Sequence, residues 1–170
     1  MIESEIKIRE LQKKLSTENS KTVSDAIVSL RNEVPFKGAI SLLAGLYDRT
    51  NDLVIKNLIH NFLNDIKDPG ARNEIVTAVM NNFKPETLSM LVSSCWQSGL
   101  DYSGFIIDFT DLFISGDYLT ALECFTVIEE SVHSIPPGDK GKVKGLLEKN
   151  KNKLSVEKIP LFQTLILILS

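Results

Sequence analysis

Apolar side chains recur at spacings of three and four residues along almost the whole chain, the pattern of helices that bury one face. Strict alternation of apolar and polar residues is missing, apart from the last five residues before Ser170. Helix-breaking residues such as Pro69-Gly70, Gly99 and Pro136-Pro137-Gly138 separate the periodic segments. The pattern therefore predicts an all-α fold, with helices at residues 2–15, 20–33, 36–48, 52–66, 71–82, 86–98, 102–114, 118–133, 140–152 and 156–169.

One apolar face returns along the chain at a spacing of about 33 residues, which indicates an internal repeat. A pair of helices of this length cannot bury its apolar face alone and must stack on copies of itself. The spacing predicts an α-solenoid, or superhelix, of about five antiparallel helix pairs in a right-handed stack. The apolar positions in register are Val23, Ala26, Ile27 and Leu30, then Ile55, Leu58, Ile59 and Phe62, then Leu88, Leu91, Val92 and Cys95, then Ala121, Cys124, Phe125 and Ile128.

The segment from Leu42 to Asp48, followed by the segment from Val54 to Leu63, resembles a HEAT repeat. In that family a Leu-rich first helix ends near an Asp, and the second helix opens with a Val-Arg-like pair. Lys56 stands where the family usually has Arg. The resemblance spans residues 20–133, is HEAT-like or armadillo-like, and implies a single HEAT-like repeat domain over residues 1–170.

Two other folds remain open at this point. A closed helical bundle with a structural role would show the same spacing if it only reflected average helix length. A mixed fold is the other alternative, because the segment from Leu165 to Leu169 could form a strand.

Composition points to an ordered protein in a reducing compartment. The chain has 43% hydrophobic and 24% charged residues, close to the average for soluble globular proteins. Cys95 and Cys124 are too few for a disulfide framework. Residues Met1 to Glu10 show no signal or transit peptide, and the apolar stretch from Ile159 to Leu169 is shorter than the roughly 20 residues of a membrane span. We therefore expect a cytoplasmic protein that does not enter a membrane.

Charge is distributed unevenly along the chain. The run from Pro85 to Asp139 holds nine acidic residues and no Lys or Arg, whereas the stretch from Lys140 to Ser170 holds seven Lys and two Glu. An acidic surface attracts a basic partner through complementary potential, although it could also serve only solubility. Because phosphate binding needs clustered Lys or Arg, no nucleic-acid partner is expected.

No set of residues in the sequence resembles a catalytic or metal site. The nine glycines form no phosphate-binding loop, and His60, His133, Cys95 and Cys124 do not have the short spacing of a zinc site. The two cysteines fall on the repeated apolar column, where buried structural thiols are typical. We expect no catalytic residue, no metal and no cofactor.

The carboxylates have the positions of a solvated helix face. Asp108 and Asp111 lie three residues apart, and Glu129 is adjacent to Glu130. Such carboxylates could supply the general acid and the general base of an active site. Their apolar neighbours show the normal amphipathic pattern, which indicates exposure to solvent instead.

Helical geometry places polar side chains opposite the apolar column. In solenoids of the HEAT type the second helices line the concave side, so the resemblance implies a polar and acidic groove there, with Met90 and Val127 as apolar anchors. Amides and hydroxyls suit an extended peptide backbone. We expect a non-enzymatic protein–protein interaction scaffold that presents this groove to a basic, extended segment of a partner. The expected partner-binding residues are Asn57, His60, Asn61, Asn64, Met90, Ser93, Ser94, Gln97, Glu123, Thr126 and Glu130.

One enzymatic alternative follows from the same resemblance. Some HEAT-like solenoids are DNA alkylation-repair glycosylases, in which aromatic and carboxylate residues face the DNA. Trp96 with Asp101 or Asp108 would be the candidates here. The acidic run would repel the DNA backbone. Trp96 lies roughly 80° from the core direction of its helix, which favours a role in helix packing over that of an exposed anchor.

The C-terminal residues 161–169 are apolar nearly all round, whereas a terminal repeat is normally polar on its outer face. We therefore expect another surface to cover them. A second copy of the chain is the simplest candidate, which predicts a homodimer through residues 161–169. Packing against Trp96 or against the preceding repeat is the alternative.

Overall fold

The computed structural model describes residues 2–33 and 36–170, and these residues form helices without any strand. The prediction of an all-α fold is confirmed, and residues 165–168 lie in a helix. Short 3₁₀ turns precede α7 and α10, and a third follows α9. The helices are α1 (Ile2–Leu15), α2 (Ser20–Leu30), α3 (Ala39–Arg49), α4 (Leu53–Asn64), α5 (Ala71–Val79), α6 (Pro85–Gln97), α7 (Ile106–Ser115), α8 (Tyr118–Ser131), α9 (Pro137–Asn150) and α10 (Ile159–Ile168).

Local chemistry sets the helix starts. The side chains of Asn19, Asp52 and Asp117 accept hydrogen bonds from the first backbone N–H groups of α2, α4 and α8. Helix α9 begins earlier than predicted because Pro137 fits its first turn. Helix α3 begins later than predicted because Gly38 has a left-handed φ of 100°, which a helix cannot contain.

Helices that follow one another in the chain pack together in pairs, and many helices also contact the helix two places further along the chain. Successive helices contact each other in the pairs α1–α2, α3–α4, α5–α6, α7–α8 and α9–α10. The even-numbered helices also contact one another in the order α2, α4, α6, α8 and α10. Among the odd-numbered helices, α1 contacts α3, α3 contacts α5, and α7 contacts α9.

The predicted apolar column forms the inner side of the even-numbered helices. Its residues are buried, except for Leu58, Phe62, Leu88 and Phe125, which are half-buried. The buried apolar residues of all ten helices belong to one core cluster. None of the helices in residues 2–33 and 36–170 is long and apolar enough to cross a membrane.

Two polar residues of the α3–α4 pair link it to the next helix pair. One carboxylate oxygen of Asp48, in α3, accepts the backbone N–H of Lys84 and the hydroxyl of Thr87, each at 2.8 Å. Burial opposes ionisation of Asp48, but these hydrogen bonds outweigh it and lower the pKa of the carboxyl group. The ammonium of Lys56, in α4, contacts Glu86 of α6 at 2.8 Å. These contacts fix the start of α6 against α3 and α4.

Candidate functional site

Polar side chains connect α4, α6 and α8 across the surface that lies opposite the apolar column. His60 contacts Ser93 at 3.2 Å, and the amide nitrogen of Asn64 donates to Gln97 at 2.7 Å. Both contacts join residues 33 positions apart in the chain. We call His60, Asn64, Ser93, Gln97, Trp96 and Glu123 the polar ladder.

The contact between His60 and Ser93 has a defined proton arrangement. The Ser93 hydroxyl donates its only proton to the carbonyl oxygen of Met90 at 2.8 Å. Ser93 Oγ can therefore only accept from His60, so we assign a hydrogen to His60 Nε2. Burial lowers the pKa of His60, while the nearby carboxylate of Glu123 opposes that shift. The ladder consequently holds a neutral imidazole at neutral pH.

Trp96 connects α6 to α8. Its indole Nε1 donates a hydrogen bond to Glu123 Oε2 at 2.7 Å, while the residue remains 38% exposed. The hydrogen bond fixes the orientation of the ring. Trp96 thus links α6 to α8 through its indole N–H and also offers part of its ring to solvent.

The structure divides the expected partner-binding residues between surface and interior. Asn57, Asn61, Gln97 and Glu130 are exposed, whereas His60, Asn64, Glu123 and Thr126 are half-buried. The third group, which is buried, consists of Met90, Ser93 and Ser94, together with the expected anchor Val127.

Three of the four expected residues of α6 are buried, because this helix has neighbours on more sides than the column pattern assumed. It contacts α3, α4, α5 and α8. Met90 is 5% exposed and Ser94 is fully buried, its hydroxyl donating to Leu91 O within the same helix. Met90 and Ser94 therefore belong to the core and not to an open groove, which corrects their expected position. Ser93 is buried as well, and its hydroxyl contacts the half-buried side chain of His60.

A cavity of about 220 Å³ opens between the C-terminal ends of α6 and α8, which we call the α6–α8 cavity. The loop between α6 and α7 closes one side of it with Asp101 and Tyr102. The sequence analysis paired Trp96 with Asp101 as glycosylase candidates, but it did not place Glu130 beside them. No periodic pattern could do so, because Asp101 lies in a connection without regular repeat. The remaining lining residues are Cys95, Gly99, Leu100, Val127, Ser131 and Ser134.

A second cavity, of about 740 Å³, lies where the ends of α2 and α4 approach the starts of α3 and α5. Phe36, Ile40 and Phe62 form part of its apolar wall. On its wall, one carboxylate oxygen of Glu74 accepts the backbone N–H groups of Gly38 and Ser41, at 3.0 and 3.2 Å. This cavity was missed in the sequence because loop residues form much of it.

The carboxylates of the acidic run are distributed over several helices. Among the residues that the structure describes, only Glu86 and Asp139 of this run form ion pairs, with Lys56 and Lys142. The members without an ion pair include Glu123, which belongs to the polar ladder, and Glu130, which is also on α8. Others, such as Asp111 on α7, lie elsewhere, so the run is not confined to one surface.

One lysine of the basic C-terminal stretch is buried in the fold. The ammonium of Lys158 donates to the carbonyl oxygens of Phe113 and Ile114, at 3.0 and 3.1 Å, and to that of Gly116. These carbonyls end α7 and would otherwise lack partners. Burial lowers the pKa of Lys158, while nearby Asp117 opposes that shift. The residue attaches the start of α10 to the end of α7.

The buried thiols are poor nucleophiles. Burial raises the pKa of Cys95 to about 12 and raises that of Cys124 well above its ordinary value, so both stay protonated at neutral pH. Within residues 2–33 and 36–170, no group of three or more His, Cys, Asp or Glu side chains could hold a metal ion. The site therefore offers hydrogen-bonding groups, negative charge and a half-exposed indole.

Comparison of the chain with family models, curated protein sequences and solved structures found no match.

Proposed function

We propose that the chain is a HEAT-like α-solenoid of about five helix pairs that acts in the cytoplasm as a non-enzymatic interaction scaffold. Its ligand is an extended segment of a partner protein that carries Lys or Arg. The segment lies across the outer side of α4, α6 and α8. The observation that carries this proposal is the pair of carboxylates on α8, Glu123 of the polar ladder and the exposed Glu130, neither of which forms an ion pair with any residue that the structure describes.

The spacing of the polar contacts supports the stacked arrangement. His60–Ser93 and Asn64–Gln97 join residues 33 positions apart, and Ser20–Asp52 and Arg31–Asp65 join α2 to α4 in the same manner, over 32 and 34 positions. Equivalent positions of consecutive units touch in a stack of repeats, whereas a closed bundle has no reason to favour one separation. The succession of even-numbered helices agrees with this arrangement.

The surface of the even-numbered helices suits a peptide backbone. Asn57, Asn61 and Gln97 are exposed amides, and each amide can both donate and accept a hydrogen bond. Glu123 and Glu130 add negative charge at the α8 end of this surface. A segment with its basic residues toward α8 would therefore match both features.

The proposal is tested by affinity capture from the native cell with paired baits. The variant Glu123→Lys with Glu130→Lys reverses both of these charges on α8. We expect it to lose partners that the wild-type chain captures, and synthetic peptides from those partners should map binding to an extended segment with Lys or Arg. Association with such a peptide should become slower and less dependent on salt, because exposed charges act mainly on the encounter rate.

A matched control carries the same charge change on another surface. Asp111→Lys with Glu129→Lys reverses two exposed carboxylates of the same acidic run outside the ladder. This control should retain the partners. Equal loss with both double variants would mean that the run acts only through total charge, and equal retention would remove the proposed surface.

A DNA alkylation-repair glycosylase is the second candidate function. It is favoured by one observation, which is that Trp96 and Asp101 line the same cavity. Asp108, the other candidate carboxylate, does not line this cavity among the described residues. Glu130 also lines it and would repel a phosphate backbone. Gel retardation of duplex DNA at low salt distinguishes the two functions, because only the glycosylase requires tight binding.

The homodimer through residues 161–169 stays a prediction. Helix α10 packs on α8 and α9 and buries Phe162, Leu165 and Leu169. Leu167 remains 74% exposed on the opposite side. A second copy of the chain would cover that side.

A further inference from the structure

The α6–α8 cavity combines an interior floor with a charged rim. Cys95, Tyr102 and Val127 lie in the buried part, whereas Asp101 and Glu130 are exposed where the cavity opens. A long side chain with an apolar stem and a charged end matches such a gradient, because the stem can leave water while the charge remains near a carboxylate.

One wall of the cavity is aromatic and held in place. Trp96 is the only tryptophan of the chain, and its bond to Glu123 fixes the ring while leaving 38% of the residue exposed. A guanidinium is planar and stacks on an indole face, an interaction that the strongly hydrated ammonium of lysine makes less well. The wall therefore favours arginine over lysine.

The charge at the rim is negative and only partly compensated. Asp101 accepts the backbone N–H of Ser103, and Arg72 donates to the Asp101 carbonyl oxygen at 2.6 Å, so one cation already lies beside Asp101. Glu130 has no ion-pair partner among the described residues. It is the carboxylate available to a cation from outside.

The floor contains a buried polar group without a well-formed hydrogen bond. Tyr102 is 1% exposed, and its hydroxyl lies near the side chains of Cys95 and Ser98 without making a hydrogen bond of good geometry in the described part of the chain. Buried hydroxyls in folded proteins nearly always have a partner. A ligand with hydrogen-bond donors would supply one.

The size of the cavity suits a single side chain of a ligand. Its volume of about 220 Å³ lies below the roughly 300–1,000 Å³ of sites for whole small molecules. We propose that the α6–α8 cavity binds one arginine side chain of the partner, stacked on Trp96 and paired with Glu130. This inference rests on the proposed function, to which it adds the residue that anchors the partner.

The site is tested by titrating ¹⁵N-labelled full-length protein with the peptide acetyl-Gly-Arg-Gly-amide. Because the chain has a single tryptophan, the indole N–H resonance reports on Trp96 alone. We expect saturable shifts of this resonance and of the backbone amides of residues 99–102. The peptide with citrulline in place of arginine has nearly the same shape without the charge and should give no saturable shift.

Two pairs of variants locate the binding. Glu130→Gln should raise the Kd of the arginine peptide about tenfold, since a hydrogen bond to a charged group contributes about that much. Glu129→Gln makes the same change on an adjacent exposed residue outside the cavity and should leave the Kd unchanged. Ser134→Trp fills the exposed rim without changing charge and should abolish binding, whereas His133→Trp, a bulky change at the adjacent exposed residue, should not.

The outcomes separate this inference from the proposed function. Equal shifts with the citrulline peptide, or equal weakening by Glu129→Gln, would overturn the arginine site. If the arginine peptide fails while partner capture still depends on Glu123 and Glu130, the interaction surface stands and the anchor is wrong. If the peptide saturates the cavity while capture is indifferent to both charges, the cavity binds arginine but does not anchor the partner, and both this inference and the proposed surface are wrong.

Discussion

His60 is a half-buried imidazole whose proton balance is coupled to folding. Ser93 Oγ accepts from its Nε2–H, and burial lowers its pKa below the unfolded value of about 6.5. As the pH falls, the unfolded chain therefore takes up this proton first. The free energy of unfolding decreases with falling pH through the window between the unfolded and the folded pKa.

We expect this decrease to be missing from His60→Gln. Urea denaturation at pH 7.5, 6.5 and 5.5 measures the free energy of unfolding of both proteins. The amount by which the wild type is more stable than the variant should shrink as the pH falls. His133, the only other histidine, is exposed and supplies the control. If His133→Gln changes the pH dependence as much as His60→Gln, the assignment to the ladder is wrong.

Lys158 contributes to the stability of the fold more through the hydrogen bonds of its charged ammonium group than through its aliphatic stem. Lys158→Met keeps most of the stem but leaves the carbonyl oxygens of Phe113, Ile114 and Gly116 without their donor. We expect a loss of about 2 kcal/mol in the free energy of unfolding, the typical contribution of hydrogen bonds to a charged group. Urea denaturation measures it, and Lys153→Met, at an exposed lysine nearby, should change stability by less than about 0.5 kcal/mol.

At the scale of elements, the helices could be predicted because each leaves a periodic trace in its own sequence. The apolar columns of α4 and α8 correctly indicate their buried sides. The neighbours that a helix will have in the fold produce no such pattern in its own sequence, and α6 is an example. Its Met90 and Ser94 look like surface positions in the sequence, but contacts with α3 and α5 as well as α4 and α8 bury them.

The candidate site was predictable only where it lies on regular helices. His60, Gln97 and Glu130 were found because helical geometry gives the direction of a side chain. The α6–α8 cavity depends on how the connection after Gly99 returns toward α8, which is a tertiary feature. Gly99 has a φ of 70°, so the chain turns sharply there, yet the direction it takes cannot be read from residue types.

Helix α10 presents a testable apolar side. Leu167 is exposed while Phe162 and Leu165 are buried against the fold, so a charge at 167 changes only the outer side. If a second copy covers this side, Leu167→Glu should convert a dimer to a monomer in light scattering and leave urea denaturation of the monomer nearly unchanged. A wild-type protein that is monomeric at all concentrations would contradict the predicted homodimer.

At the scale of the whole molecule, burial is greater in the helices in the middle of the chain than in those at its ends. Fully buried side chains of α6, α7 and α8 include Leu91, Phe109, Phe113 and Ile128, whereas α1 contributes only Leu11 and Leu15 to the described core. Segments with few buried apolar contacts open at a lower free-energy cost than the core does. The chain therefore has a gradient of local stability.

We expect amide hydrogen exchange to follow this gradient. Exchange should be fastest in α1 and slowest in α6, α7 and α8, and the difference should persist under conditions that favour the native state. A stack of repeats permits such partial opening because each unit contacts mainly its neighbours. Uniform protection across all helices would instead indicate a single cooperative bundle.

The attachment of Lys158 to the end of α7 has a mechanical consequence. Its bonds connect positions more than 40 residues apart in the chain, so tension on the C-terminal helix passes directly to the turn at Gly116, just before α8 begins. A force applied after Ser170 would therefore act on the same helix that carries Glu123 and Glu130. Force sensors built from this chain are better attached at the other terminus, so that the surface under study bears no load.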